Sequence, residues 1–398
     1  MRGRYKTALG RHFSCACRCR GGNAANTAAV AADLSSNRLC VRFSGCIVDP
    51  GVCDGAAFVL SDLRSHAVLP TVHTLPAGST PTSYILRSAN SGSRTIVHHR
   101  DIQELSHACF MDSVAPALGL HRHAPLHCLH AEGRQAPDTA RIMQWHLHQG
   151  APLTSPNPSF QGSRRAAVQA TGRPLKLLSV EIEKTRAQHG AAATELDDCS
   201  SELSLLPLAH IVFSCREYAS QVAGGHPAAL CLLLLQASMQ PLHAAHASKE
   251  YGAAHVLACL PEVAVTWGEE GAYAFIPAAA PSDSPSQDGD QVLLWGVMGQ
   301  ADTLYWADTT HSAEGGLVAG TLRRIPTPRV PRVVDTVGAG DSFIAGVLAA
   351  VCMSDNASLD FVSAVQSGVR VASAKVAQEG MGGLSLPGLT ASAAPAGP

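Results

Sequence analysis

Between Asp335 and Phe343 the sequence runs Asp-Thr-Val-Gly-Ala-Gly-Asp-Ser-Phe, preceded by Arg332-Val333-Val334 and followed by an Ala- and Val-rich helical run. Small residues there let successive backbone amides point at a common centre, and a helix starting at that point adds the positive end of its dipole. Gly338, Ala339 and Gly340 are therefore expected to form an anion hole. Asp341 stands beside it on the first helical turn, where a carboxylate can take a proton from a hydroxyl while the amides stabilise charge on a transferring phosphoryl group. The plain alternative is an aspartate that caps a helix after a Gly-rich turn. Two glycines bracketed by two aspartates favour the catalytic reading. A dinucleotide-binding fingerprint is a poor fit, since its third glycine and later acidic residue are missing.

Such a turn needs strands and helices around it, and the sequence alternates between them. Leu175 to Val180, Ala209 to Phe213 and Val263 to Trp267 are short apolar runs with turn or polar boundaries, the pattern of buried parallel strands. Ser342 to Val351 and Phe361 to Val376 are long enough for helices. The expectation is an α/β fold, a mostly parallel sheet flanked by helices on both faces. Residues 83–99 form two β-rich runs about Asn90-Ser91-Gly92, predicting a hairpin. Residues 151–174 are a Pro-rich loop, and residues 277–320, rich in Ala, Ser, Gly and Asp, are expected to be a low-complexity surface insertion. Residues 387–398 are expected to be a disordered tail.

Composition removes several function classes. The 398 residues carry 29 basic and 31 acidic side chains, a formal charge of -2, without the basic stripe of a nucleic-acid binder. The longest strongly apolar run, Ala228 to Leu235, falls well short of the roughly 20 residues that span a bilayer. The 13 cysteines are not preceded by a signal peptide, which argues against a disulfide framework. Cys15, Cys17 and Cys19 lack a matching downstream pair for zinc. His121, His123, His127 and His130 lack acidic companions at ligand spacing and are taken as surface or loop histidines. The first 20 residues are Arg- and Cys-rich with no acid, a composition shared with organelle transit peptides. A frayed, disordered start and a cytoplasmic protein are the preferred reading, with organelle targeting left open.

The Asp335 to Phe343 block combines with five other segments. They are Gly21-Gly22-Asn23-Ala24-Ala25-Asn26, Gly92-Ser93-Arg94-Thr95-Ile96, His130-Ala131-Glu132-Gly133-Arg134, Ser179-Val180-Glu181-Ile182-Glu183-Lys184 and Thr266-Trp267-Gly268-Glu269-Glu270-Gly271. On these residues the chain from Gly21 to Leu384 resembles the ribokinase-like (phosphofructokinase B type) carbohydrate kinases, and within them the ketohexokinases, or fructokinases. The resemblance implies a carbohydrate kinase domain over residues 21–386 with a small β lid, transferring phosphate from ATP, with Mg2+, to a sugar hydroxyl, a ketohexose such as fructose. It implies Asp341 as general base and Gly22, Asn23 and Asn26 as sugar contacts. Arg94, Arg216, Glu269, Gly271, Ala372 and Val376 would lie on the nucleotide side, and Asp335 would help to hold a monovalent cation such as K+. The edge of a lid strand makes a homodimer through the lid an expectation.

The sequence departs from the family at two places. A β-strand, part of the lid and a sugar-binding acid precede the Gly-Gly-Asn segment in the family, whereas here no acid occurs before Asp33. The first strand and part of the lid are therefore read as missing. A truncated, non-catalytic nucleotide- or sugar-binding relic is one alternative, and a nucleoside (adenosine-type) kinase another. Cys215-Arg216-Glu217-Tyr218 stands where many members carry Asn-x-x-Glu, which bears on magnesium ligation.

Overall fold

The computed structural model describes residues 5–6, 12–13, 18–87, 94–119, 126–148, 177–183, 202–245, 260–279, 294–298, 301–307, 317–354 and 360–385. Helices α1 (Asn23–Ser35) and α2 (Asp54–Ser65) lead to the hairpin strands β1 (Thr82–Arg87) and β2 (Arg94–His99). Strand β3 (Cys128–Glu132), helix α3 (Ala136–His148), strands β4 (Leu177–Ile182) and β5 (Ile211–Cys215), and helices α4 (Arg216–Val222) and α5 (Pro227–Ala245) follow. Strands β6 (Glu262–Thr266), β7 (Ala272–Ala279), β8 (Leu294–Met298), β9 (Ala301–Ala307) and β10 (Leu317–Ile325) precede helices α6 (Ala339–Met353) and α7 (Phe361–Val376).

Among the described residues, eight strands make one sheet in the order β8-β9-β10-β7-β6-β5-β4-β3. Strands β3 to β6 run parallel, and from β6 to β8 every neighbouring pair is antiparallel. The sheet is thus mixed, not mostly parallel. The link from β6 to β7 is too short for a crossover and turns back on itself, closed by the Trp267 amide on the Gly271 carbonyl at 2.8 Å. Residues 277–320, expected as a surface insertion, include among the described residues the end of β7, all of β8 and β9, and the start of β10, which extend one end of the sheet. Their β-prone residues, Leu294-Trp295 and Leu304-Tyr305-Trp306, are diluted by the Ala, Ser, Gly and Asp that dominate the composition.

Alternation along the strands explains the layers. Leu178, Val180 and Ile182 of β4 face a core with Met143 of α3, Tyr218 of α4 and Leu230, Leu234 of α5. Leu177 of β4 and Ile211 and Phe213 of β5 face the other way, onto Phe343, Val347 and Val365 of α6 and α7. Helices therefore cover both sides. Among the described residues, no single helix is long and apolar enough to cross a membrane.

Two close helix contacts carry the site. A Cβ on Gly368 of α7 would lie 2.7 Å from the Phe343 carbonyl oxygen and 2.6 Å from Val347 Cγ2 of α6, so these helices meet almost backbone to backbone. Helix α1 lies on α6 through Val30, Ala31 and Leu34 against Ala345, Ala349 and Met353. The small residues bring the two helices close, and their amino-terminal ends meet at Asn26 and Asp341.

Outside the main sheet, Arg42–Phe43 pairs with Leu69–Pro70 and Cys46–Val48 with His73–Leu75, both parallel. Among the described residues, strand β3 forms one edge of the large sheet and β8 the other. The hairpin matches the sequence expectation, with Ile85 opposite Ile96, although its turn at residues 90–92 lies outside the described residues. So do residues 151–174 and 387–398, where a Pro-rich loop and a disordered tail were expected. Most of residues 1–17 are likewise outside, apart from Tyr5–Lys6 paired with His12–Phe13. Arg20, which the sequence placed in a disordered leader, is ordered and buried.

Candidate active site

A cleft of about 3480 Å³ opens at the carboxyl ends of β3 to β6. Single small-molecule sites occupy roughly 300–1,000 Å³, so this cleft has room for more than one ligand. Gly22, Asn23, Asn26 and Asp341 line one part, and Gly338, Ala339 and Gly340 continue from it. Arg216, Glu269, Gly271, Ala372 and Val376 line the same cleft, together with Asp335. The side chain of Arg94, at the start of β2, lies outside the described ones.

Asp341 sits on the first turn of α6, 7% exposed. Asn26 Nδ2 donates to its Oδ2 at 2.6 Å. Behind Asn26, Arg20 Nη1 donates to Asn26 Oδ1 at 2.7 Å, and Arg20 Nε to Asp62 Oδ2 of α2 at 2.6 Å. A relay Asp62–Arg20–Asn26–Asp341 thus fixes one carboxylate oxygen. Burial pushes the Asp341 pKa up to about 7; the Asn26 hydrogen bond and Arg20 act against that, and Glu183 and Glu132 with it. A carboxyl tuned near neutrality is suited to general-base work.

Gly338 precedes α6 with φ 78°, a conformation that favours glycine. A Cβ there would also strike Met381 Sδ at 2.6 Å, whereas a Cβ on Gly340 would meet nothing within 4 Å, so the backbone at 340 is open to the cleft. The Ala339 amide turns back onto the Thr336 carbonyl at 3.3 Å, which corrects its place in the expected anion hole. The amides of Gly340 and Asp341, in the first turn, have no backbone partner among the described residues. They and the Gly338 amide are the donors left for an anion.

On the opposite wall, Glu132 at the end of β3 accepts the Ala24 amide of α1 at 2.8 Å and pairs with Arg134. It therefore neutralises the amino-terminal turn of α1. Asn23 Nδ2 reaches Glu181 Oε2 at 3.4 Å. Glu181 is buried, and burial first, then Glu183, raise its pKa well above the usual carboxylate range. His130, expected at the surface, has its ring edge-on to Phe213 and its Nδ1 3.0 Å from Ser179 Oγ. Burial lowers its pKa to about 4, against an upward pull from Glu132.

Beyond the anion hole, Arg216 pairs with Glu270 at 3.5 Å, not with Glu269, and its guanidinium lies 5.8 Å from the Trp267 ring centre. Gly271 has φ 104°, and a Cβ there would come within 2.0 Å of the Ile325 carbonyl oxygen. Close backbone packing is thus reason enough for a glycine at this position. Ala372 lies partly buried against the core of α6, and Val376 offers its carbonyl to the Val334 amide at 2.7 Å.

Glu183 and Glu217 line the cleft at the ends of β4 and β5. Carboxylate oxygens of this kind suit Mg2+, which takes one or two protein carboxylates and completes its shell from substrate phosphates and water. These two residues fit such an ion. Asp335 does not fit a free monovalent ion. Its Oδ2 and its carbonyl oxygen accept Lys375 Nζ at 2.8 and 3.0 Å, and its Oδ1 accepts the Val337 amide at 3.0 Å.

Sequence reasoning missed Arg20 and Lys375. Arg20 stood next to the Gly-Gly-Asn segment but in an Arg-rich stretch, where one guanidinium does not stand out. Lys375 stands with Arg370 as one of two cations in the otherwise apolar, small-residue stretch Val369 to Val376, a signal that was available.

Residues 307–387 match the family model described as pfkB family carbohydrate kinase. This matched segment holds the anion-hole turn and Asp341. The fold as a whole is ribokinase-like. It is similar to a PfkB protein from Polaromonas sp. JS666 (15% identity, 90% of this chain and 85% of that one, TM-score 0.51). It is also similar to the adenosine kinase from Schistosoma mansoni in complex with 2-fluoroadenosine (14%, 91% and 80%, TM-score 0.51). A third likeness is the adenosine kinase from Sinorhizobium meliloti (17%, 94% and 82%, TM-score 0.50). No curated protein matches the chain.

Proposed function

We propose that the chain is an ATP-dependent kinase that phosphorylates a hydroxyl of a sugar, a ketohexose such as fructose. The observation that carries this reading is Asp341: a carboxylate held by Asn26, with a pKa raised to about 7, at the mouth of a turn whose amides face the cleft. Asp341 takes the proton of the acceptor hydroxyl. The hydroxyl oxygen forms a bond to the γ-phosphorus as the bond to the β,γ-bridging oxygen breaks, and ADP leaves with that electron pair. The Gly338, Gly340 and Asp341 amides stabilise the charge that develops. When bound, Mg2+ screens the phosphates, and Glu183 and Glu217 are the residues to hold it. Gly22, Asn23 and Asn26 contact the sugar, and Arg94, Arg216, Glu269, Gly271, Ala372 and Val376 form the nucleotide side.

The test is ADP release by the purified chain with ATP and Mg2+, with and without fructose. Fructose-dependent release supports the reading, and its absence with a panel of ketoses contradicts it. A nucleoside acceptor is the second reading, favoured by the adenosine kinases that share the fold; adenosine-dependent ADP release without a fructose response would select it. The hairpin exposes Tyr84 at 65%, Ile96 at 54% and Val97 at 55%, which supports a homodimer through these strands. Light scattering that finds only monomers at micromolar concentration would contradict the dimer.

A further inference from the structure

Lys375 is fully buried, and among the described residues its ammonium donates to Asp335 alone. Nζ donates to the Asp335 carbonyl oxygen at 3.0 Å and to its Oδ2 at 2.8 Å. A buried cation is tolerated only where it is paired and hydrogen-bonded, and this one has a carboxylate and a carbonyl. Asp335 joins two loops: its Oδ1 accepts the Val337 amide at 3.0 Å, at the start of the anion-hole turn, and its Oδ2 accepts the Gly380 amide at 3.4 Å. The carbonyl of Val376, next to Lys375, accepts the amides of Val334 and Asp335 at 2.7 and 3.2 Å. The ammonium is therefore the charge around which both loops close.

A free monovalent cation at Asp335 would need the same two oxygens. It would also sit within van der Waals reach of Nζ, a like charge in a water-poor site, where repulsion is far stronger than in bulk water. We propose that the Lys375 ammonium serves as the resident cation of the anion-hole turn, in place of a free potassium ion, so that nucleotide binding and turnover do not depend on K+. This rests on the kinase reading of the cleft. Lys375 is a positioning residue: it acts on the amides of Gly338 to Asp341 through Asp335 and touches no substrate.

The test uses the purified full chain at fixed ionic strength in potassium, sodium or choline chloride. Three quantities are measured: ATP affinity by calorimetry, the melting temperature, and acceptor-dependent ADP release. The parent is expected to give the same ATP affinity within about twofold in all three salts, with no K+-specific rise in melting temperature. Lys375→Met keeps the length of the side chain and vacates the charge. It is expected to lose at least about tenfold in ATP affinity in choline and to regain most of that loss in K+, a rescue that a merely structural lysine would not show. A parent whose ATP affinity rises about tenfold in K+ over choline overturns the proposal, as does a folded Lys375→Met that binds ATP like the parent in choline. If Lys375→Met does not fold, the comparison of the parent across the three salts decides alone. A parent that binds ATP but turns over no acceptor in any salt defeats the kinase reading, while the binding data still answer for Lys375.

Discussion

Asn26 Nδ2 lies 2.6 Å from Asp341 Oδ2, joining the first turns of two helices 315 positions apart in the chain. The bond favours the charged form of a carboxyl that burial would otherwise keep protonated. Hydrogen bonds to charged groups contribute about 1.5–3 kcal/mol, roughly ten- to a hundredfold in an equilibrium. Asn26→Ala is therefore expected to lower kcat by about that factor and to move the acid limb of the pH–rate profile upward. A variant with reduced KM discrimination but an unshifted limb would contradict this account of the bond.

The pH dependence of the parent follows from the same carboxyl. A base must be ionised to accept a proton, so kcat/KM should fall tenfold per pH unit below about 7, the pKa that burial gives Asp341. A limb centred near 4 would mean that another group carries the proton.

Stability should move in the opposite sense. The folded pKa of Asp341 is raised from 3.8 to about 7, so its contribution is fully present below 3.8 and is lost as pH climbs through 7. Each unit is worth about 1.4 kcal/mol, so the ionised carboxylate costs the fold of the order of 4 kcal/mol at pH 8. Asp341→Asn removes that cost and should melt at a higher temperature than the parent at pH 8, with the gap closing toward pH 4. Equal gaps at both pH values would show that the carboxyl is not held against its charge.

The contact between α6 and α7 gives a prediction about the scaffold. A methyl group on Gly368 would lie 2.7 Å from the Phe343 carbonyl and 2.6 Å from Val347 Cγ2. Gly368→Ala should destabilise by about 1–3 kcal/mol, the usual cost of overpacking, read as a lower denaturant midpoint. An unchanged midpoint would show that the helices separate without cost.

Much of this was legible in the sequence because the motifs depend on local backbone chemistry. The Gly338-Ala339-Gly340-Asp341 turn, the hairpin about residues 83–99 and the helix Phe361–Val376 follow from glycine conformation and side-chain periodicity. Strands β8 and β9 did not, since their few large residues sit in an Ala-, Ser- and Gly-rich background and gain their place by pairing with β10. Nor did the antiparallel half of the sheet, which a short turn at Gly268 to Gly271 sets. The relay through Arg20 and Asp62 and the Lys375–Asp335 pair join residues far apart in the chain, which no local pattern encodes.

The central claim is that Asp341 deprotonates the acceptor hydroxyl. Its most direct test is single-turnover transfer from ATP to the acceptor by Asp341→Asn, with ATP affinity measured on the same protein. The account predicts unchanged ATP affinity within a few fold and transfer slowed by about 10²–10⁴. Transfer at the parent rate by a folded, ATP-binding Asp341→Asn would contradict it.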